Sequence, residues 1–300
     1  MVNIFLPILI GFKLFAFSPA PTSDNLGLLQ KQIKSTLEGK KGTFAVAFKD
    51  LSTGEELLIN EHEAFHAAST MKTAVLVEAF NQADQGKLSL TDSITVKNSF
   101  ASIVDGSPFQ LDQGSDGDQE IYQMIGSKLP MQDLLYRMII LSSNLATNIV
   151  IEKIGAMQVT RTMQSYGAQN LKVLRGVEDS KAYRKGLNNS TTAYDLMLLF
   201  NKIALGKSVS SKASETMIRI LLDQKFNEII PANLPSDVRV AHKTGSITGV
   251  QHDSGIVMLP DGRRYVLVLL SKDLGDEAAG VKAMARISEM IYKYMTGKRS

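Results

Sequence analysis

Apolar residues recur at helical spacing through Leu26, Leu29, Ile33 and Leu37, with polar residues between them. This pattern predicts an amphipathic helix closed by Gly39. Thr43-Phe44-Ala45-Val46-Ala47-Phe48 then reads as a strand, Ser52-Thr53-Gly54 turns the chain, and Glu55 to Ile59 returns as the second arm of a hairpin. From Thr70 the period is helical again, and Met71, Ala74, Val75, Val77 and Phe80 predict a buried helix that stops before Gly86. Asp105 to Asp118 is rich in Gly, Ser and Asp and reads as a loop. Leu134 to Ile154 is strongly helical, with Ser142 to Asn144 inside it or at a break in it. Ser190-Thr191-Thr192 reads as an N-cap cluster for a helix over Tyr194 to Ile203, and Ser214 to Leu222 predicts another. Strand signals resume at Val238 to His242, Gly255 to Leu259 and Tyr265 to Leu270. Asp261-Gly262 joins the last two as a hairpin turn, and Ala278 to Tyr294 is a closing helix.

Strands at both ends with helices between them predict an α+β fold. Its antiparallel sheet is built from both chain ends with flanking helices, and an all-helical lobe is inserted. The expected division is a single catalytic domain over residues 21–300. Its sheet lobe covers about 21–65 and 236–300, and its helical lobe about 66–235. Residues 1–20 stand apart. They are mostly apolar from Ile4 to Phe17, and Ser18-Pro19-Ala20 supplies small residues for cleavage. They read as a signal peptide that sends the chain to the periplasm or outside the cell. Lys13 interrupts the apolar run, and the segment is too short to read as a spanning helix.

Composition narrows the chemistry. A hydrophobic fraction of 44% over 300 residues supports a sizeable core. The net charge of +3 comes from intermixed acidic and basic residues, which fits ordinary solvation rather than a nucleic-acid face. The absence of cysteine excludes disulfides, thiolate catalysis and cysteine metal ligands.

The candidate chemistry lies in three short motifs. In Ser69-Thr70-Met71-Lys72 the serine and lysine are three apart, which on a helix puts both on one face. A serine hydroxyl is a weak nucleophile and needs a base. A lysine in a dry cleft can have its pKa lowered toward neutrality and serve as one. A serine at a helix N-terminus also sits where the macrodipole favours developing negative charge. Ser142-Ser143-Asn144 offers a hydroxyl and an amide. Lys243-Thr244-Gly245, at the end of a predicted strand, offers a cation and a hydroxyl to a substrate carboxylate, and Gly245 leaves room for substrate against the backbone.

In this order and over roughly Thr43 to Tyr294, the three motifs resemble those of penicillin-recognising serine hydrolases, and of class A β-lactamases in particular. The resemblance implies a serine β-lactamase acting through an acyl-enzyme on Ser69. It casts Lys72 as the proton relay, Ser142 as the group that protonates the leaving nitrogen, and Asn144 as the holder of the substrate's side-chain amide. It adds Lys243, Thr244, Gly245 and Ser246 as substrate-binding residues, with the Ser69 and Ser246 backbone N–H groups as the oxyanion hole. Asn148 resembles an asparagine that props up the neighbouring loop. No metal or organic cofactor is implied. The partner is a small β-lactam, with no nucleic acid and no stable membrane insertion of the mature chain, and the protein is expected to be a monomer.

Two departures accompany this resemblance. Ser143 stands where the family has aspartate, which bears on local packing. The loop Arg175 to Asn189 lacks the family's E-x-x-L-N pattern; Glu178 is the candidate water-activating base, with Asp179 beside it, and Asn189 stands where a loop-closing aspartate is expected. A D-Ala-D-Ala peptidase or esterase on the same scaffold, and a β-lactam sensor that stays acylated, therefore remain open. His62-Glu63-Ala64-Phe65-His66 matches the zinc-protease pattern H-E-x-x-H, which requires both histidines on one helix face. The plainer reading is a connecting segment with Phe65 packed inward.

Overall fold

The computed structural model describes residues 23–297, so the expected signal peptide lies outside the described residues. In chain order the main elements are α1 (Ser23–Leu37), β1 (Thr43–Asp50), β2 (Glu56–Ile59), α2 (Met71–Asp84), α3 (Met131–Ile140), α4 (Asn144–Ile154), α5 (Ala156–Ser165), α6 (Ser180–Arg184), α7 (Ala193–Ala204), α8 (Ser211–Leu222), β3 (Arg239–Ile247), β4 (Val250–Met258), β5 (Arg264–Lys272) and α9 (Glu277–Thr296). The five strands form one antiparallel sheet in the order β2-β1-β5-β4-β3, so the N-terminal hairpin adds directly to the three C-terminal strands. No helix among the described residues is long and apolar enough to cross a membrane.

The two-residue period of the strands divides the core. Phe44, Val46 and Phe48 of β1, with Leu267 and Leu269 of β5, pack with Leu29 and Ile33 of α1 and Met284, Ile287 and Ile291 of α9. The alternate residues Ala45, Ala47, Val266, Val268 and Leu270 face the other way, into a larger core shared with α2, α3, α4 and α7. The small side chains of Ala45 and Ala47 let α7 lie close on β1 and β5. Burial of each large aliphatic side chain here stabilises the fold by about 1.5–3 kcal/mol. α2 is buried from Met71 through Phe80, so it forms the centre of the helical layer rather than one face of it.

Four local differences from the sequence reading have physical causes. β3 continues through Lys243-Thr244-Gly245 to Ile247 instead of ending before the motif. β4 begins at Val250, and its polar stretch His252, Asp253 and Ser254 is buried in hydrogen-bonded pairs, which hid it from a hydrophobic pattern. α5, after the left-handed Gly155, has no counterpart in that reading. Ser190 and Thr191 pair as a short strand with Phe65 and His66, and Thr192 alone caps α7 by accepting the Asp195 N–H.

Candidate active site

Ser69 lies at the junction of the sheet and the helical layer. It occupies a 3-10 turn, Ala68–Thr70, that runs into α2, so it precedes the α-helix rather than starting it. Ala68 has φ of +45°, unusual for a residue with a Cβ, and its N–H donates to His66 Nδ1 at 3.0 Å. Burial, followed by the nearby Arg175 charge, lowers the His66 pKa and so keeps that ring an acceptor. Gly245 closes on the turn from β3. A Cβ at Gly245 would lie 3.0 Å from the Ser69 nitrogen and 3.1 Å from that of Thr70, so glycine is what lets the strand approach.

Of the two readings of Leu134–Ile154, the structure has the break, and it lies at the second motif. α3 ends before Leu141, Ser142 takes φ of +56°, and the Ser143 hydroxyl caps α4 by accepting the Ala146 N–H. This turn presents Ser142 and Asn144 to the first motif. Lys72 Nζ, fully buried, donates to Ser142 O at 2.7 Å, Asn144 Oδ1 at 2.8 Å and Ser142 Oγ at 3.3 Å. Lys243 Nζ reaches the same Ser142 Oγ at 3.0 Å from β3. Burial lowers the Lys72 pKa to about 7, against the pull of the Asp116 and Glu178 carboxylates. Burial and then Lys72 push Lys243 well below the ordinary lysine value, opposed by Asp253. Two buried lysine amines thus share one hydroxyl, and a charge on Lys72 makes it easier for Lys243 to lose its proton.

Glu178 joins this cluster through Asn144. Its Oε1 accepts Asn144 Nδ2 at 2.9 Å and its Oε2 accepts the Asp112 N–H at 3.1 Å. A hydrogen-bonded path therefore runs from Lys72 through the Asn144 amide to the Glu178 carboxylate. Glu178 has φ of +63°, and its loop is fastened on both sides. Asn148 Oδ1 accepts the Val177 N–H at 2.6 Å and its amide donates back to Val177 O at 3.0 Å, the propping role the resemblance implied. At the neck, Asn189 Oδ1 accepts the Leu174 and Arg175 N–H groups and its amide donates to Arg175 O. The loop is thus closed by peptide hydrogen bonds from an amide. Asp179 is committed elsewhere: its buried carboxylate caps α6 at Ala182 N and accepts from Ser102 Oγ and Ile103 N.

Ser246 and Gln251 face each other across β3 and β4, with Gln251 Nε2 donating to Ser246 Oγ at 2.9 Å, and Ser246 is exposed at the cleft. Thr244 is partly exposed beside it, and its carbonyl accepts from Lys243. Two features went unseen in the sequence. Buried behind Lys243, His242 Nδ1 lies 2.8 Å from Asp253 Oδ1, a pairing set by register between β3 and β4. Asp116, in the loop before α3, is buried against the start of α4.

The H-E-x-x-H residues do not form a helix. His62 is in a turn with its ring against Tyr194, and Phe65 and His66 form a short strand with Phe65 buried. No group of three or more His, Asp or Glu side chains able to hold a metal ion occurs among the described residues.

A serine in the turn that leads into the helix of a buried, deprotonatable lysine, with a second lysine and a carboxylate brought in from other elements, is the constellation of a serine hydrolase. The family model of the β-lactamase enzyme family matches residues 28–295, and the chain belongs to that family. It is 27% identical to the extended-spectrum β-lactamase PER-1 of Pseudomonas aeruginosa over 95% of this chain and 93% of that protein. Among solved structures, an acyl-enzyme complex of a PBP-A variant with penicillin G is 28% identical, with a TM-score of 0.77 over 91% of this chain and 97% of that one. The TLA-1 extended-spectrum β-lactamase, 20% identical, shares the fold with a TM-score of 0.78 over 90% of this chain and 99% of its own.

Proposed function

We propose that this protein hydrolyses the lactam amide of penicillin- and cephalosporin-type antibiotics by a two-step route through Ser69. Ser69 Oγ attacks the lactam carbonyl and its proton passes to neutral Lys72. The carbonyl oxygen gathers charge against the Ser69 and Ser246 N–H groups. The C–N bond then breaks as Ser142 gives its proton to the ring nitrogen and takes up the one held by Lys72, leaving an ester on Ser69 and a neutral lysine. Glu178 takes a proton from water, the hydroxide attacks the ester, and Ser69 leaves with a proton returned through Lys72. Lys243 and Thr244 hold the substrate carboxylate, and Asn144 turns its amide from Glu178 to the substrate side chain. The observation that carries this reading is the meeting of Lys72 and Lys243 on Ser142 Oγ. Residues 21–300 then act as one catalytic unit, secreted or periplasmic.

A chromogenic cephalosporin followed by absorbance and intact mass tests the reading. Steady colour with little adduct supports it. A persistent adduct of one acyl group favours a second reading, a penicillin-binding peptidase. That reading draws support from the likeness to PBP-A and from the absence of the E-x-x-L-N pattern around Glu178.

Two further outcomes follow. Acylation measured by single turnover should fall about tenfold for each pH unit below about 7. The neutral lysine is the base, and its fraction shrinks as pH drops through the Lys72 pKa. A rate flat from pH 5 to 8 removes Lys72 from that role. Lys243→Ala should cost roughly 2–4 kcal/mol of kcat/KM on carboxylate-bearing lactams, a loss of about 30- to 1000-fold. A neutral ester should be much less affected. Equal losses on the two substrates contradict a carboxylate-binding lysine.

A further inference from the structure

The turn that carries Ser142 and Asn144 is held from beneath by a side chain outside the three motifs. Asp116 is only 4% exposed, and no lysine or arginine bonds its carboxylate among the described hydrogen bonds and ion pairs. The carboxylate accepts instead from four donors. Both oxygens lie 3.0 Å from the Asn144 nitrogen, and Oδ2 also takes the Leu145 N–H at 2.9 Å and the Tyr122 hydroxyl at 3.0 Å. Oδ1 takes the Asp118 N–H at 3.0 Å.

The first amides of a helix have no partner inside it. In α4 the first three are all satisfied from outside: Asn144 and Leu145 by Asp116, and Ala146 by the Ser143 hydroxyl. A buried anion at a helix N-terminus is favoured by the dipole as well as by these bonds. Ser142, immediately before, sits in the left-handed region, where a residue with a Cβ stays only if its surroundings hold it. All three bonds made by Lys72 end on this turn.

We propose that Asp116 is a positioning residue for acylation: its carboxylate clamps the Ser142–Asn144 turn on which Lys72 rests. This rests on the acyl-transfer reading of the site. The clamp has an electrostatic consequence. The charged groups that bear on Lys72 are Asp116 and Glu178, and Lys72 in turn bears on Lys243. Around Asp116 itself, the Tyr122 phenol is held protonated by burial and then by Asp116, with Glu178 and Asp112 acting the same way, and the Asp118 carboxylate is occupied by Arg137. Asp116 therefore opposes the loss of the Lys72 proton while holding the atoms that receive its bonds.

The test compares the parent with Asp116→Asn, using a fluorescent penicillin and single-turnover acylation from pH 5 to 9. The amide keeps the shape but turns a donor toward the Asn144 and Leu145 N–H groups. The plateau rate at high pH should fall about 10- to 100-fold. The acid limb should move to lower pH by about one unit, because removing a negative charge lets Lys72 lose its proton more easily. A purely structural role lowers the plateau and leaves the limb in place. Adding Ser143→Asp to the Asp116→Asn chain returns a carboxylate to the same helix start and should recover about tenfold of the lost rate. If Asp116→Asn does not fold, Tyr122→Phe removes one tether of the carboxylate and leaves it less neutralised; a plateau lowered several-fold with the limb moved to higher pH supports the clamp, and an unmoved limb counts against it. A variant of either kind that acylates at the parent rate with the parent pH profile overturns it. A parent that takes no label overturns the acyl-transfer reading, and the role of Asp116 with it.

Discussion

Ser69→Ala is expected to abolish covalent labelling by penicillin and to lower turnover by roughly 10⁶-fold, the scale seen when a hydrolase loses its nucleophilic serine. The change is small in volume and falls in a tight turn between the left-handed Ala68 and the first residue of α2. The packing that holds this turn, Gly245 against the Ser69 nitrogen and His66 on the Ala68 N–H, does not use the hydroxyl. The variant should therefore keep its thermal midpoint and still bind substrate noncovalently. Intact mass after incubation with penicillin decides the matter. An adduct of one acyl group on the alanine variant would remove Ser69 from the mechanism and send the search to Ser142, whose hydroxyl lies 3.3 Å from Lys72 Nζ.

The second large effect is expected at Glu178. Glu178→Gln keeps the shape and one acceptor for the Asp112 N–H, but an amide cannot take a proton from water. Loss of a general base removes about 10²–10⁴ in rate. The loss should fall on deacylation more than on acylation, because Ser69 and Lys72 stay in place and removing the Glu178 charge only eases loss of the Lys72 proton. A burst of product equal to one turnover, then a slow steady state with the adduct visible by mass, is the expected pattern. The loop itself should survive, since Asn148 on Val177 and Asn189 on Arg175 fasten it independently of the carboxylate. Turnover at the parent rate would make Glu178 a bystander. Asp179 is then a poor substitute, because its oxygens are already committed to Ala182, Ser102 and Ile103.

Much of this arrangement was legible in the chain. The sheet from both ends could be read from the order of strand and helix signals, since β1 and β5 are short, nearly unbroken runs of apolar, largely β-favouring residues and the segments between them carry helical spacing. The three motifs could be read because each is a short local pattern, and the structure joins Lys72 of the first and Lys243 of the third to Ser142 of the second. Other parts were not legible. The His252, Asp253 and Ser254 segment of β4 is polar and buried, and polar residues are expected inside only when partners from distant segments satisfy them. Asp116 sits in a stretch of Gly, Ser and Asp whose natural reading is a solvated loop. Its burial depends on the α4 amides 28 residues later, which no local pattern encodes. Ser143 marked the gap where a family carboxylate is missing but gave no sign of where one would be found.

The position of β5 bears on how the chain is made. Thr43 pairs with Lys272 and Asp50 with Tyr265, so β1 leaves the ribosome more than two hundred residues ahead of its main partner. β5 also lies between β1 and β4, and Tyr265 through Leu270 are buried on both faces. Until it has been synthesised, β1 has only β2 beside it and β4 has only β3, and each keeps a row of unpaired peptide groups along the side that β5 will fill. Contacts of such long sequence separation form late and slowly. Ser69 is therefore among the early residues to emerge but acquires its neighbour Gly245 in final position only once nearly all the chain has followed. The two lysines, one on α2 and one on β3, can therefore meet on Ser142 only after the C-terminal strands have been made.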